Sequence, residues 1–419
     1  MHSGLRHQDA ETRIGGICFK TGPPGRTGAE LEWLVHDRTH PGRPVTAERL
    51  DAALAPLGAP GALPGGSRLT REPGGQVELS SPPADSLTHC LDTAAADQAA
   101  LDRALAREGL VAVGRGLDPY RIPGRVLQHP RYQAMEQHFD RIGPWGRVMM
   151  RATAAVQVNL EAGDSSDGPA GYRHRWILAH RIGPVLLAAF ANSPLWQGRP
   201  TGWKSTRQAV WSRVDPTRTR PVADGGDARS DWARYALDAA VMCIRRPAPA
   251  RWTAPPGLTF RDWLDAPVDG RAPAADDLDY HLGTLFPPVR PRGWLELRMI
   301  DAQYGDGWQA AVAVASALMD DPAAASLAYD ATEPLTRGDR LPPRSLWLRA
   351  ARHGPADPAL GAAVRACVSA AEAALTGEPR RAVARFAERY AEHGRCPADD
   401  LLQGTPQHPL DDVREGTHR

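Results

Sequence analysis

Four stretches of this chain, residues 28–33, 71–81, 154–160 and 294–298, alternate apolar and polar residues, with acids, amides and an arginine at the polar positions. A strand turns successive side chains to opposite faces, so residues two apart share a face. Glu30 and Glu32 therefore oppose Ala29, Leu31 and Trp33, and Gln76 and Glu78 oppose Val77 and Leu79. In the same way Gln157 and Asn159 oppose Val156, Val158 and Leu160, and Glu296 and Arg298 oppose Leu295, Leu297 and Met299. Joined in one sheet, such strands bury one face in a core and gather carboxylates on the other. Two carboxylates about 4 Å apart repel by roughly 4 kcal/mol at an effective dielectric of about 20. A hard divalent cation that takes oxygen ligands, such as Mg2+, is the natural remedy.

The rest of the pattern places these strands among helices. Strands are expected at residues 14–19, 28–35, 110–113, 148–160 and 235–245, and a hairpin pairs 67–72 with 76–80 through Pro73, Gly74 and Gly75. Helices are expected at 46–57, with Thr46 as N-cap, and at 86–108, 131–142, 173–191 and 278–286. Residues 247–277 read as a surface excursion with a short helix at 260–264, and the chain from Gly307 onward is Ala-rich and helical. Helices segregated from antiparallel-type strands predict an α+β fold. One domain, 1–419, is expected, with its core at about 14–320, a helical C-terminal region at about 307–395 and a frayed tail at 405–419.

Composition excludes several classes. A net charge of +1 argues for neither nucleic acid nor an acidic surface as partner. Five scattered cysteines show no zinc spacing and suit free thiols in a cytoplasm, and the N-terminus lacks the apolar stretch of a signal peptide. The best membrane candidate, residues 176–190, is too short to span a bilayer and is interrupted by His180 and Arg181. There is no GxxxxGK[ST] phosphate loop, no Rossmann glycine fingerprint, no GxSxG elbow and no HExxH. His36, His89 and His180 read as ordinary surface or core histidines.

The candidate site residues follow from the carboxylate face. Glu30, Glu32, Glu78 and Glu296 repeat one design on separate strands, with Glu72 beside the hairpin turn and Gln157 offering a neutral oxygen ligand or a hydrogen bond within the sheet. Arg298 shares the face of Glu296, and its planar fork suits either a salt bridge or a phosphoryl group. Between the strands, residues 190–213 form a long segment rich in Arg, Trp, Ser and Asn, as substrate loops often are.

These residues resemble a known family. The run Arg71-Glu72-Pro73-Gly74-Gly75-Gln76-Val77-Glu78-Leu79-Ser80 is similar to one in the plant-type glutamate–cysteine ligases. So are Met149-Met150 with Val156 to Leu160, Phe190 to Pro194, Gly198 to Gly202, the spaced Ser205, Arg207 and Trp211, Asp215 to Thr219, Tyr235 to Asp238, and His281 to Arg290 leading to Leu295-Glu296-Leu297-Arg298. The motifs fall in the family's order over about residues 25–320, and this shorter, Arg-rich chain is most similar to a bacterial branch that supplies γ-glutamylcysteine for ergothioneine synthesis. The resemblance implies a glutamine synthetase-like fold, with a curved antiparallel sheet, flanking helices and the active site on the concave face. It implies that ATP phosphorylates the side-chain carboxylate of L-glutamate and that the amine of L-cysteine displaces the phosphate. Carried over by position, Glu30, Glu32, Glu72, Glu78, Gln157 and Glu296 match metal-facing positions for Mg2+, with Mn2+ as a possible substitute. Arg298 matches the arginine on the transferring phosphoryl group, which makes Arg298 and Glu296 the expected catalytic pair. Arg207, Arg213 and Thr153 match substrate-binding positions. A related ligase with another amine acceptor, and a non-catalytic nucleotide-binding relative, are the alternatives. Met299-Ile300-Asp301-Ala302-Gln303 and the pair Ala154-Ala155 depart from the family pattern.

Overall fold

The computed structural model describes residues 5–404, so the tail expected at 405–419 lies outside the described residues. In chain order the first half contains α1 (His7–Cys18), β1 (Thr27–Asp37), α2 (Ala47–Leu54), β2 (Arg68–Arg71), β3 (Val77–Ser80), α3 (Leu87–Arg107), β4 (Leu110–Val113), α4 (Pro130–Asp140), α5 (Trp145–Ala152), β5 (Ala155–Glu161) and α6 (Tyr172–Ala189). Then follow β6 (Leu195–Trp196), β7 (Arg199–Pro200), α7 (Thr206–Trp211), α8 (Pro216–Thr219), α9 (Ala228–Asp238), α10 (Phe260–Asp265), α11 (Ala275–Leu282), β8 (Val289–Pro291) and β9 (Trp294–Asp301). The chain continues through α12 (Trp308–Asp320), α13 (Pro322–Thr336), α14 (Arg344–His353), α15 (Pro358–Ala374), α16 (Gly377–Arg389) and α17 (Pro397–Leu402).

The alternating strands do join one sheet. Its order is β2-β3-β1-β5-β9-β8, with β4 on the far end of β1 and every pairing antiparallel. Register puts Glu32 opposite Glu78, Glu30 opposite Gln157, and Asn159 opposite Glu296. The odd-numbered partners Ala29, Leu31, Val77, Leu79, Leu295, Leu297 and Met299 are buried on the other face, as are Val156, Val158 and Leu160. Helices α3, α6 and α12 cover that face. In α12, Trp308 and every residue from Ala310 to Met319 are buried, the mark of a core helix. One contiguous core draws residues from Ala10 to Ala391, so the C-terminal helices belong to the same packing unit as the sheet. No single helix among the described residues is long and apolar enough to cross a membrane.

Three expected strands are corrected. Residues 14–18 close α1 and are not a strand: Ala10, Ile14 and Cys18 are buried at a spacing of four, which is helical, and the paired glycines obscured the period. Residues 148–152 belong to α5, and the strand starts only after Thr153, whose extended backbone ends that helix. Residues 235–238 finish α9, which Asp227 caps by accepting from the Ser230 amide, and beyond it Ala240 and Cys243 make only isolated bridges to Thr259 and Thr253. Thr46 and Ser86 cap α2 and α3 as expected.

Candidate active site

The polar face of the sheet lines a cleft of about 1360 Å³. Glu30, Glu32, Glu72, Glu78, Gln157, Thr153 and Arg298 all reach its lining. The β2–β3 hairpin carries Glu72 and Glu78 to one side, and it can lie close because Gly74 has no side chain: a Cβ there would fall 2.0 Å from the Arg151 carbonyl oxygen. Gln76 lines the cleft with Glu78 as expected, and it is tied down there, donating from Nε2 to the Thr153 carbonyl at 2.9 Å. A register shift between Val156 and Val158 of β5 gives β9 one extra residue around Arg298 and Met299. Such a bulge re-aims a side chain, and Arg298 meets Gln157 and Glu296 there.

The electrostatics of this face are those of anions short of a cation. Burial, with repulsion from Glu296 and Glu78, pushes Glu30 up to about 7 although Asn159 donates to it at 3.0 Å. Burial and Glu78 push Glu32 up to about 8, against the pull of Arg207 and Arg298. Glu72 is raised well above its ordinary value by burial and by Glu78 and Glu32. Glu296 behaves oppositely. Burial alone would raise it, but Arg290 and Arg298 hold it at about 2. Arg290 donates to it from Nε at 2.5 Å and from Nη2 at 3.0 Å, and Arg298 Nη1 stands 3.1 Å away. The Glu296 side chain is fully buried beneath the lining, and Arg290, itself buried, also donates to the Leu285 carbonyl at 2.9 Å.

Thr153 lines the cleft, but its hydroxyl donates to the Met149 carbonyl at 2.7 Å within its own helix end. Arg207 is buried behind Arg298, donating to the Arg298 carbonyl at 3.0 Å and lying 3.8 Å from Asp301. Asp301 accepts from the Asn192 amide, Ser193 Oγ and Ser205 Oγ, which fixes the segment carrying Arg207. From the far side, Lys204 pairs with Asp399 and the Ala398 amide donates to the Ala191 carbonyl at 2.9 Å, so α17 is fastened to the same segment. Arg213 is not brought to the cleft. It is exposed, bonds the Ala209 carbonyl at 2.8 Å, and lies over Trp145 and Trp203 in a separate cavity. Arg207 and Trp211 share one side of α7 at a spacing of four, and a residue two further on turns away from that side. Arg290, Arg292, Arg131, Tyr132 and Trp294 line the cleft without having been singled out from the sequence.

The two ends of the cleft differ. Around the C-terminal end of β5, where Glu161 pairs with Trp294, the lining is Lys20, Arg26, Arg292 and Trp294. Around its N-terminal end it is Tyr132, Met135, Met149, Trp211 and Phe286, with Arg131 beside Glu72.

Among the described residues no three His, Cys, Asp or Glu side chains are gathered tightly enough to hold a metal ion as they stand. The donor chemistry nevertheless fits a hard cation: the cleft offers carboxylate and amide oxygens, and three of its carboxyls are raised partly by one another's charge. The five cysteines are buried and free.

The sequence profile of glutamate–cysteine ligase family 2 (GCS2) matches residues 26–418. The chain belongs to this family. Among glutamate–cysteine ligase relatives, the chain is 43% identical over 391 residues to the glutamate–cysteine ligase EgtA of Mycobacterium tuberculosis (strain CDC 1551 / Oshkosh), covering 92% of this chain and 87% of that protein. It is 43% identical over 400 residues to the EgtA of Mycolicibacterium smegmatis, covering 94% and 90%. The chloroplastic glutamate–cysteine ligase of Nicotiana tabacum is 32% identical over 256 residues, covering 58% of this chain and 47% of that one. In structure the chain is similar to a bifunctional glutathione synthetase from Pasteurella multocida, with TM-score 0.52 and 12% identity. That match covers 98% of this chain and 54% of the other, so the chain spans about half of that enzyme, and the likeness shows the fold alone.

Proposed function

We propose that the cleft carries out the reaction of its family. The chain is an ATP-dependent glutamate–cysteine ligase: it joins the γ-carboxylate of L-glutamate to the amine of L-cysteine, with ADP and phosphate as the other products. The observation that carries this reading is the convergence, in a chain of this family, of four glutamates from two strands and a hairpin end with Arg298 of a third strand in one cleft. The sheet and the helices through α16 act as one catalytic unit, since they share a core, and α17 joins it through the contact of Ala398 and Cys396 with Ala191. The likeness to the EgtA enzymes supports ergothioneine synthesis as the use of the product.

Transfer of a phosphoryl group to a carboxylate brings two anions together, so the site must chiefly position and neutralise them. Arg298 faces the cleft with its fork oriented by Gln157 and Glu296, and it meets the transferring group; Arg290 stiffens this arrangement from below. Arg207 adds positive charge behind Arg298 and contributes to holding the glutamate end. Thr153, on the cleft lining, borders the glutamate position. Glu30, Glu32, Glu72, Glu78 and Gln157 would hold Mg2+, or Mn2+ in its place. Glu296 would join through the one lone-pair site that its three arginine contacts leave open. The metal, when bound, neutralises phosphate charge. The γ-glutamyl phosphate then loses phosphate as the cysteine nitrogen forms the new C–N bond and releases a proton. Met149, Trp211 and Phe286 at the apolar end keep water from this acyl phosphate.

The test is incubation of the purified chain with ATP, Mg2+, glutamate and each amino acid in turn, measuring phosphate and peptide. Phosphate release that requires glutamate and cysteine together, with γ-glutamylcysteine as product, is expected. Release without any amine, or preference for another amine, would overturn the assignment.

A further inference from the structure

Trp294 is one of few large hydrophobic side chains left exposed, and it stands on the cleft lining. Its indole is fixed: Nε1 donates to Asn159 Oδ1 at 3.1 Å, and Asn159 in turn donates to Glu30 at 3.0 Å. The Arg292 guanidinium lies 5.7 Å from the centre of its ring. Trp294, Glu296 and Arg298 follow one another at every second position of β9 and so share the cleft face. Four residues of strand separate the indole from Arg298, about 13 Å at ~3.3 Å per residue. Lys20, Arg26, Arg290 and Arg292 line the same part of the cleft.

A held aromatic ring at the mouth, cations next to it and a phosphoryl-binding arginine further down the same strand match an extended nucleoside triphosphate from base to terminal phosphate. We propose that Trp294, backed by Arg292, is the platform on which the adenine base of ATP stacks, and that it sets the affinity for nucleotide without entering the chemistry. This inference rests on the ligase reading of the cleft and adds to it the direction in which ATP lies. The base is at the Trp294 end, leaving the Met149–Phe286 end to the amino acids. Stacking is tolerant of ring identity, so phenylalanine can substitute and aliphatic residues lose the effect.

The test uses the full chain and the variants Trp294→Ala, Trp294→Leu and Trp294→Phe. Equilibrium dialysis with AMP and, separately, with inorganic tripolyphosphate in Mg2+ reads base and phosphate binding apart. Trp294→Ala and Trp294→Leu should weaken AMP about tenfold, as loss of one aromatic–base stack does, while Trp294→Phe keeps most of the affinity. Tripolyphosphate binding should be unchanged in all three. In turnover, KM for ATP should rise in parallel, with kcat and the KM values for glutamate and cysteine unaltered. AMP affinity like the parent's in Trp294→Ala, or tripolyphosphate binding lost together with AMP, would overturn the platform. Dialysis does not depend on turnover, so that failure would leave the ligase assignment standing. Conversely, loss of AMP binding in a chain that forms no peptide would remove the ligase assignment and keep the platform.

Discussion

Glu296 stands between two guanidinium groups with no exposed surface, and its carboxylate is ionised because Arg290 and Arg298 outweigh its burial. Removing a partner from such a cluster strands buried charge, typically at about 3–5 kcal/mol. Glu296→Gln should therefore lower kcat roughly 10²–10³-fold, the scale of losing a transition-state electrostatic contact, and also reduce stability to urea. Near-parental kcat would take Glu296 out of the reaction. Arg298→Lys should be as severe in kcat, since a point charge bonds neither Gln157 nor a phosphoryl oxygen as the planar fork does; a mild loss, seen in steady-state rates, would return Arg298 to a plain salt bridge. The acids on this face were legible because period-two alternation is local. Arg290 was not. Its role depends on the β8–β9 pairing that sets it opposite Glu296, and Pro291 disguised that strand. The one available signal was a turn, Arg292-Gly293, just before the alternating run, with Gly293 at φ 92°. Arg213 failed for the converse reason: motif spacing places a residue along the chain and leaves open which side of a helix it leaves from.

At the scale of elements, the site depends on how close a hairpin can approach a helix end. Gly74→Ala would drive a methyl group into the Arg151 carbonyl, which is backbone and has no rotamer to yield. The β2–β3 turn must then move, taking Glu72 and Glu78 with it. Overpacking of this kind costs about 1–3 kcal/mol, so a lower melting temperature together with reduced activity is expected in calorimetry and turnover assays. Parental values in both would show that the hairpin can relax freely. The strands with strict alternation, β1, β3, β5 and β9, were readable. The failures came where apolar residues ran on without a visible break, as at 148–160, where helix gives way to strand at Thr153, and where glycines thinned a helical period, as in α1.

For the whole molecule, two buried histidines set an acid limit. Burial holds His180 at about 4 and His281 at about 3, against an ordinary value of 6.5. Above pH 6.5 both states of the chain carry them neutral. As pH falls through 6.5 the unfolded chain takes up protons that the folded one refuses, so stability is lost until the folded values are reached. The loss is roughly 2 kcal/mol per histidine at pH 5. Urea melts at pH 7 and pH 5 should show this drop, and His180→Phe should make it shallower; equal midpoints would disprove the linkage. The α+β class and the carboxylate face were accessible from local patterns. The task of the C-terminal helices was not, because α12 is uniformly apolar and only long-range packing shows it to be the beam beneath the sheet. The Lys204–Asp399 pair and the Ala398 bond to Ala191 carry a consequence for how the site can come apart. Every strand of the sheet lies before residue 302, about a hundred residues ahead of these fastenings of the Arg207 segment. The arginine behind the carboxylate face is thus held by a part of the chain that no strand pairing depends on, so loosening α17 would free Arg207 while leaving the sheet joined.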